Sequence, residues 1–182
     1  MMPRLYIPRD AAAVSVGADQ VAEAVAVEAA RLGVALEIVR NGSRGLYWLE
    51  PLVEVDVAGQ RHAYGPVTPA DVPGLFAAGW LQGAGHPLHH GPTQAIPYLK
   101  NQARLTFARM GRSDPLSLED YIEQGGLEGL ERALAMRPED IVAAVDTAGL
   151  RGRGGAGFPT GIKWRTVMNA EDRKSTRLNS SH

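Results

Sequence analysis

Gly149-Leu-Arg-Gly-Arg-Gly-Gly-Ala-Gly-Phe-Pro-Thr-Gly-Ile-Lys-Trp164 is the stretch from which the rest of the chain can be read. Gly152, Gly154, Gly155, Gly157 and Gly161 leave backbone N–H groups uncovered by side chains, and Arg151, Arg153 and Lys163 bring positive charge to the same place. Such a loop can approach a phosphate or a flat ring more closely than a loop of larger residues. Gly152 to Gly157 satisfies the spacing G-x-G-x-x-G, but that fingerprint requires a preceding strand and an acidic residue about 20 positions further on. The preceding segment, Pro138 to Ala148, opens with Pro-Glu-Asp and reads as a helix with Ile141, Val142 and Val145 on one side. A Walker phosphate loop fails as well, because Ile162 follows Gly161. A purely structural glycine turn is the plain alternative, and the three clustered cations speak against it.

Composition sets the outer limits. The chain has 182 residues, 45% of them hydrophobic, and a formal net charge of −1. That balance gives no sign of nucleic-acid attraction. No apolar run approaches a membrane span, and the N-terminus lacks an apolar signal segment, so a cytoplasmic location is expected. There is no cysteine. Disulfides and thiolate-held iron–sulfur clusters are thereby excluded within this chain.

The first eighty residues read as a small α/β unit. Leu5–Ile7 is a short strand, and a helix follows from about Asp19 to Leu32 with Val21, Val25, Ala29 and Leu32 on one face and Gly33 as its C-cap. Leu36–Val39 is a second strand. Leu52–Val57 alternates Val53, Val55 and Val57 against Glu54 and Asp56, the pattern of a half-buried strand with its carboxylates in water. Ala58-Gly59 turns it into Gln60–Tyr64. Thr68, Pro69 and Asp71 form a capping box that starts a short helix carrying Leu75 and Phe76. This order, with Asn41–Val55 and Tyr64–Val72, resembles the thioredoxin-like [2Fe–2S] ferredoxins. In that family the positions of Ser43 and Tyr47 are cluster cysteines, and the loop after the first strand carries another pair. Here that loop holds Asp10, a run of alanines and Ser15. The resemblance therefore implies a retired ferredoxin module, kept for docking or structure.

Gln82 to Thr93 is rich in Gly and Pro, has no apolar periodicity, and reads as a linker. His86, His89 and His90 lie on it without a neighbouring carboxylate or cysteine, so no metal site is expected. His62 is expected to face solvent. From Ile96 a second unit begins, with Ser117 and Asp120 starting one helix, Gly125-Gly126 ending it, and Leu127, Leu130 and Leu134 striping the next as core residues.

The glycine-rich run closely resembles the flavin- and NADH-binding loop of the complex I FMN subunit, shared by diaphorase subunits of NAD-dependent formate dehydrogenases and bidirectional hydrogenases. Joined to a cysteine-free thioredoxin-like unit, the run from Ile96 looks most like the β subunit of a formate dehydrogenase. The expected fold is α/β: a thioredoxin-like, ferredoxin-derived domain over residues 1–80, a linker over 81–95, and over 96–170 the helical lead-in and glycine-rich FMN loop seen in the fold of the complex I FMN subunit. The resemblance implies an NAD-dependent oxidoreductase in which FMN accepts a hydride from NADH and passes electrons to iron–sulfur clusters. It places Gly152, Arg153, Gly154, Gly155, Ala156, Gly157, Phe158 and Lys163 at the cofactors. Glycine amides would line the flavin, Lys163 would meet its ribityl–phosphate end, and Phe158 would stack on the NADH adenine. Trp164 reads equally as core or ring platform, and Thr166 stands where many members carry an aromatic residue. Implied partners are iron–sulfur and molybdenum subunits, with no membrane insertion. The [4Fe–4S] cluster of the full-length subunit would lie on cysteines beyond this stretch, which alone is expected to be inactive. Residues 171–182 match nothing in the family and read as foreign sequence, with a natural disordered tail as the alternative. A non-catalytic docking module is the competing class.

Overall fold

The computed structural model describes residues 2–170, so the reading of 171–182 lies outside the described residues. The chain divides into two compact units, Met1–Gln124 and Gly125–His182.

The first unit is built on a five-stranded sheet. Strand β1 (Arg4–Tyr6) is followed by helices α1 (Ala11–Ser15) and α2 (Ala18–Leu32), then β2 (Glu37–Val39), β3 (Val53–Val57) and β4 (Gln60–Tyr64). Helix α3 (Val72–Ala77) precedes β5 (His89–Pro92), α4 (Pro97–Lys100) and α5 (Leu118–Glu123). The sheet order is β2-β1-β3-β4-β5. β2 runs parallel to β1, whereas β3, β4 and β5 each pair antiparallel to the strand before them in the sheet. A parallel β1–α–β2 crossover beside an antiparallel hairpin is the thioredoxin-like arrangement, so the fold class expected from the sequence holds.

Local chemistry explains the boundaries. The carboxylate of Asp10 accepts from the Ala13 amide at 3.2 Å and starts α1. That helix was expected as loop. The cap and a run of alanines, the residue type that costs least in a helix, account for it. Gly33 ends α2 in the left-handed region at φ 67°. Ala58 and Gly59, both at positive φ, form the tight turn between β3 and β4.

Val21 and Val25 of α2 meet Leu5, Val53, Val55, Tyr64 and Trp80 in one core. Ala63 belongs to a second, smaller core with Leu46, Leu49, Leu52, Ile96 and Leu99. Neighbouring residues of a strand point to opposite faces, so the sheet is covered on both sides. This corrects the reading of Glu54. Paired with Ala63 across the hairpin, it lies under the second layer rather than in water and is only 1% exposed.

Segment 81–95, expected as a linker, supplies β5, whose residues pair with His62 and Tyr64. His62 is consequently half-buried, with Nδ1 3.1 Å from Nε2 of His89, and not a solvent-facing residue. The boundary between compact units falls at Gln124, well past this segment.

The second unit comprises α6 (Glu128–Leu134), α7 (Pro138–Thr147) and α8 (Thr160–Met168). Val142 is buried and Ile141 and Val145 are half-buried, as the periodicity predicts. Leu127, Leu130 and Leu134, expected as core, are exposed. Their stripe exists, but nothing in the described unit covers it. No described helix is long and apolar enough to cross a membrane.

Candidate functional site

The glycine-rich loop joins α7 to α8 as a closed hairpin. Gly149 takes φ 63° just beyond the end of α7, a turn that favours a residue without Cβ. Leu150 O then accepts from Thr160 N at 2.8 Å, and Phe158 O accepts from Gly152 N at 2.9 Å. Arg151 Nε donates to Gly157 O at 2.7 Å and straps the loop from the side. Gly157 N closes a smaller turn on Gly154 O at 3.1 Å.

These bonds leave a specific set of donors at the tip. Among the described residues, the N–H groups of Arg153, Gly154, Gly155 and Ala156 make no intramolecular hydrogen bond. A Cβ added at Gly154 or Gly155 would meet nothing within 4 Å, so the space beside those two Cα atoms is open. The amide of Gly152, expected to face a cofactor, is engaged in closing the loop instead. Its place in the site is therefore structural at the N–H, and the amide array begins one residue later.

Beside the tip, Lys163 Nζ stands 5.6 Å from the centre of the Phe158 ring. Both side chains are exposed, as are Arg153 and Trp164, so Trp164 is not a core residue of the described unit. Helix α8 begins at Thr160, directly after the loop. The loop follows a helix, not a strand, which rules out the Rossmann reading of its spacing.

Three features had no local signal in the sequence. Gly161 is buried against α7, where an added Cβ would lie 2.7 Å from the Asp146 Cα. Asp146 Oδ2 also accepts from Arg165 NH2 at 2.8 Å, locking the two helices nineteen residues apart. The Arg151 strap is the third.

In the first unit, Ser43 and Tyr47 occupy the positions that the ferredoxin resemblance assigns to cysteines. Ser43 is buried, donates to Glu50 Oε1 at 2.6 Å, and its N–H donates to Asp10 Oδ2 at 3.1 Å. Burial pushes the Glu50 carboxyl above its ordinary value, although the Ser43 hydroxyl and the Leu52 amide donate to it. Tyr47 is exposed. Next to them Arg44 makes a two-pronged pair with Glu54, at 3.1 and 2.9 Å, and Arg61 approaches the same carboxylate at 3.4 Å. Gly111 O accepts from Asn41 Nδ2 at 2.9 Å and from Arg61 NH1 at 2.6 Å. The region is a buried polar core in which Asn41 Oδ1 alone of these side-chain atoms lacks a hydrogen-bond partner among the described residues. Among the described residues no group of three or more His, Cys, Asp or Glu could hold a metal ion.

No family model matches the chain. Over 76 residues, 41% of the chain, it is 50% identical to the NADP-reducing hydrogenase subunit HndC of Solidesulfovibrio fructosivorans. Over 76 residues it is 45% identical to an NADH-quinone oxidoreductase subunit of Aquifex aeolicus, and over 55 residues 53% identical to the corresponding subunit of Streptomyces coelicolor. The matches span 16%, 18% and 12% of those proteins, so the chain corresponds to less than a fifth of their length. Among solved structures, a thioredoxin-like [2Fe-2S] ferredoxin from Aquifex aeolicus aligns with 53% of this chain and 96% of its own, at 17% identity and TM-score 0.44. An NAD+-reducing [NiFe]-hydrogenase aligns with 90% of this chain and 27% of its own, at 22% identity and TM-score 0.37. The fold assignment rests on strand order and direction, not on these two scores. The curated relatives are hydrogenase and quinone-oxidoreductase subunits, and the formate dehydrogenase expectation gains nothing from them. Over two-fifths of its length, the chain is thus similar to subunits of NAD(P)-linked oxidoreductases.

Proposed function

We propose that this chain is the N-terminal part of the FMN-containing, NADH-reacting subunit of a multi-subunit dehydrogenase, with a formate dehydrogenase diaphorase as the specific reading. The observation that carries the proposal is the tip of the glycine loop. Among the described residues four consecutive amides, Arg153 to Ala156, have no hydrogen-bond partner, and the exposed Arg153, Lys163 and Phe158 side chains lie on the same loop and helix start. That donor set fits a phosphate-bearing flat cofactor: amides and cations for the anion, and Cβ-free backbone for close approach to a ring. FMN bound there would supply the conversion of a two-electron hydride donor into single-electron transfers to iron–sulfur clusters.

In this reading the protein's own residues bind and orient. The amides of Arg153 to Ala156 hold the flavin, Gly157 turns the chain, and Lys163 meets the phosphate end. Phe158 offers a face for the adenine of NADH, a kind of contact worth about 1–3 kcal/mol in nucleic-acid systems. Arg151, Gly152, Asp146 and Gly161 keep the loop and α8 in place, because a misplacement of about 1 Å at a reacting pair can cost on the order of a hundredfold in rate. Residues 96–170 would form the beginning of the flavin domain, with the [4Fe–4S] ligands further along the complete subunit. A cytoplasmic enzyme with iron–sulfur and molybdenum partner subunits completes the proposal. The relatives favour a second reading within the same class, the corresponding subunit of complex I or of an NAD(P)-reducing hydrogenase.

The test uses the complete subunit purified in its complex. Lys163→Ala is expected to lower flavin content, since a charge-assisted contact is lost. Phe158→Ala is expected to raise KM for NADH with flavin content unchanged. Full flavin content and unchanged KM in both variants would overturn the reading. Sequencing the neighbouring genes decides between the formate dehydrogenase, hydrogenase and quinone-oxidoreductase settings.

A further inference from the structure

Segment 101–110 of the first unit is held at both ends and displays its apolar residues outward. At one end Leu99 is buried in the smaller core. At the other, the Gly111 carbonyl is clamped by Asn41 and Arg61, and a Cβ at Gly111 would collide with the Arg44 side chain. Between these anchors Leu105 is 90% exposed and Phe107 60%. With Tyr47, Tyr98 and Met110 they line an open groove of about 700 Å³. Trp48, packed edge-on against Tyr98 at 5.2 Å, extends the aromatic surface beside it. Exposed apolar clusters of this kind mark sites of association, because leaving them in water forfeits the burial they could contribute.

The charge around the groove selects the occupant. From Val72 to Ser113 the sequence contains no Asp or Glu, yet it holds Lys100, Arg104, Arg109 and Arg112. No carboxylate lines the groove among the described residues. Of these four cations only Arg104 lines the groove, and a second copy of this chain docked face to face would set Arg104 against Arg104 with no carboxylate to receive it. We propose that the groove docks an acidic, amphipathic segment of a partner protein, one that seats apolar side chains on Leu105, Phe107 and Tyr98 and sets carboxylates against Arg104, which lines the groove. This rests on the multi-subunit half of the function proposed above and is independent of the flavin half. Apolar anchors give such an interface its hold, and complementary charge gives it selectivity and speed.

The experiment uses the full 182-residue chain. Fluorescence anisotropy follows a labelled peptide of repeating Glu-Leu-Glu-Phe units and its counterpart with Lys in place of Glu. The acidic peptide is expected to bind and the basic one not to. Binding should weaken as ionic strength rises from about 0.05 to 0.5 M, and by about tenfold or more in Leu105→Ser and in Arg104→Glu. Leu105 is so exposed that its substitution leaves the fold intact, which circular dichroism confirms. Equal binding of both peptides, no binding of the acidic one, or full affinity in both variants would overturn the proposal. So would Leu105-dependent dimerisation in sedimentation, or Leu105-dependent co-pelleting with phosphatidylserine vesicles. Because no cofactor takes part, failure here leaves the flavin reading standing, and loss of that reading leaves this result standing.

Discussion

Helices α2 and α7 carry comparable apolar stripes, Val21 and Val25 in one and Ile141, Val142 and Val145 in the other. In the first unit the stripe lies on a sheet and joins a cluster of fourteen buried side chains. Beyond Gln124, Val142 is the single buried hydrophobic residue among those described. In the second unit α7 and α8 meet at Gly161, beside the solvent-exposed Asp146–Arg165 pair. Periodicity tells which residues share a face of a helix. Whether that face is covered depends on having a second layer to lay it against, and a sheet supplies far more such surface than one neighbouring helix.

The contrast can be broken most sharply at the polar layer of the first unit. Glu54→Ala would strand the buried Arg44 guanidinium without its carboxylate, and removal of one partner of such a pair costs about 3–5 kcal/mol. The urea midpoint of the first unit is expected to fall accordingly. A near-neutral result would mean that water reaches Arg44.

In the second unit the corresponding weak point is steric. Gly161→Ala puts a methyl group against the Asp146 backbone, an overpacking expected to cost about 1–3 kcal/mol. Faster amide exchange across 160–168, with no change in the first unit, checks it. Unchanged exchange across 160–168 would contradict the close contact at Gly161.

A third test concerns slope with pH rather than a fixed loss. Burial pushes the Glu50 carboxyl up, so the folded state holds that proton more tightly than the unfolded chain does. Its contribution is fully present below the unfolded value of about 4.3 and is lost as pH rises through the folded one. Glu50→Gln removes this dependence, so the variant's stability relative to the parent should climb as pH rises above about 4.3. A constant difference above that pH would show that Glu50 titrates normally.

The smallest effect is expected at Leu134, which is 78% exposed. Leu134→Ser should alter the stability of the described unit by no more than about 0.5 kcal/mol, as for surface positions generally. A loss comparable with that at Glu54 would show that Leu134 belongs to a core after all.

Much of the fold was legible locally. The strands Leu5–Ile7 and Gln60–Tyr64, the Ala58-Gly59 turn, the Thr68–Asp71 capping box and the helix from Pro138 each depend on residues a few positions apart, so short-range spacing suffices to place them. The glycine loop was equally legible, because glycine spacing and charge are properties of one continuous run. Tertiary structure alone decided the rest. Glu54 alternates as a solvent residue should, yet a covering layer from 41–50 and 96–111 turns its position into a buried ion pair. His89–Pro92 has no apolar period, and it became a strand because β4 offered an open edge with unpaired backbone groups. Gly152, one of several equivalent glycines in the sequence, was singled out to close the loop because Phe158 O lies within reach of its N–H. Asp146 and Arg165 meet only because Gly161 allows two helices to touch. In each case the deciding partner is distant in sequence, and its arrival depends on a contact that no local pattern encodes.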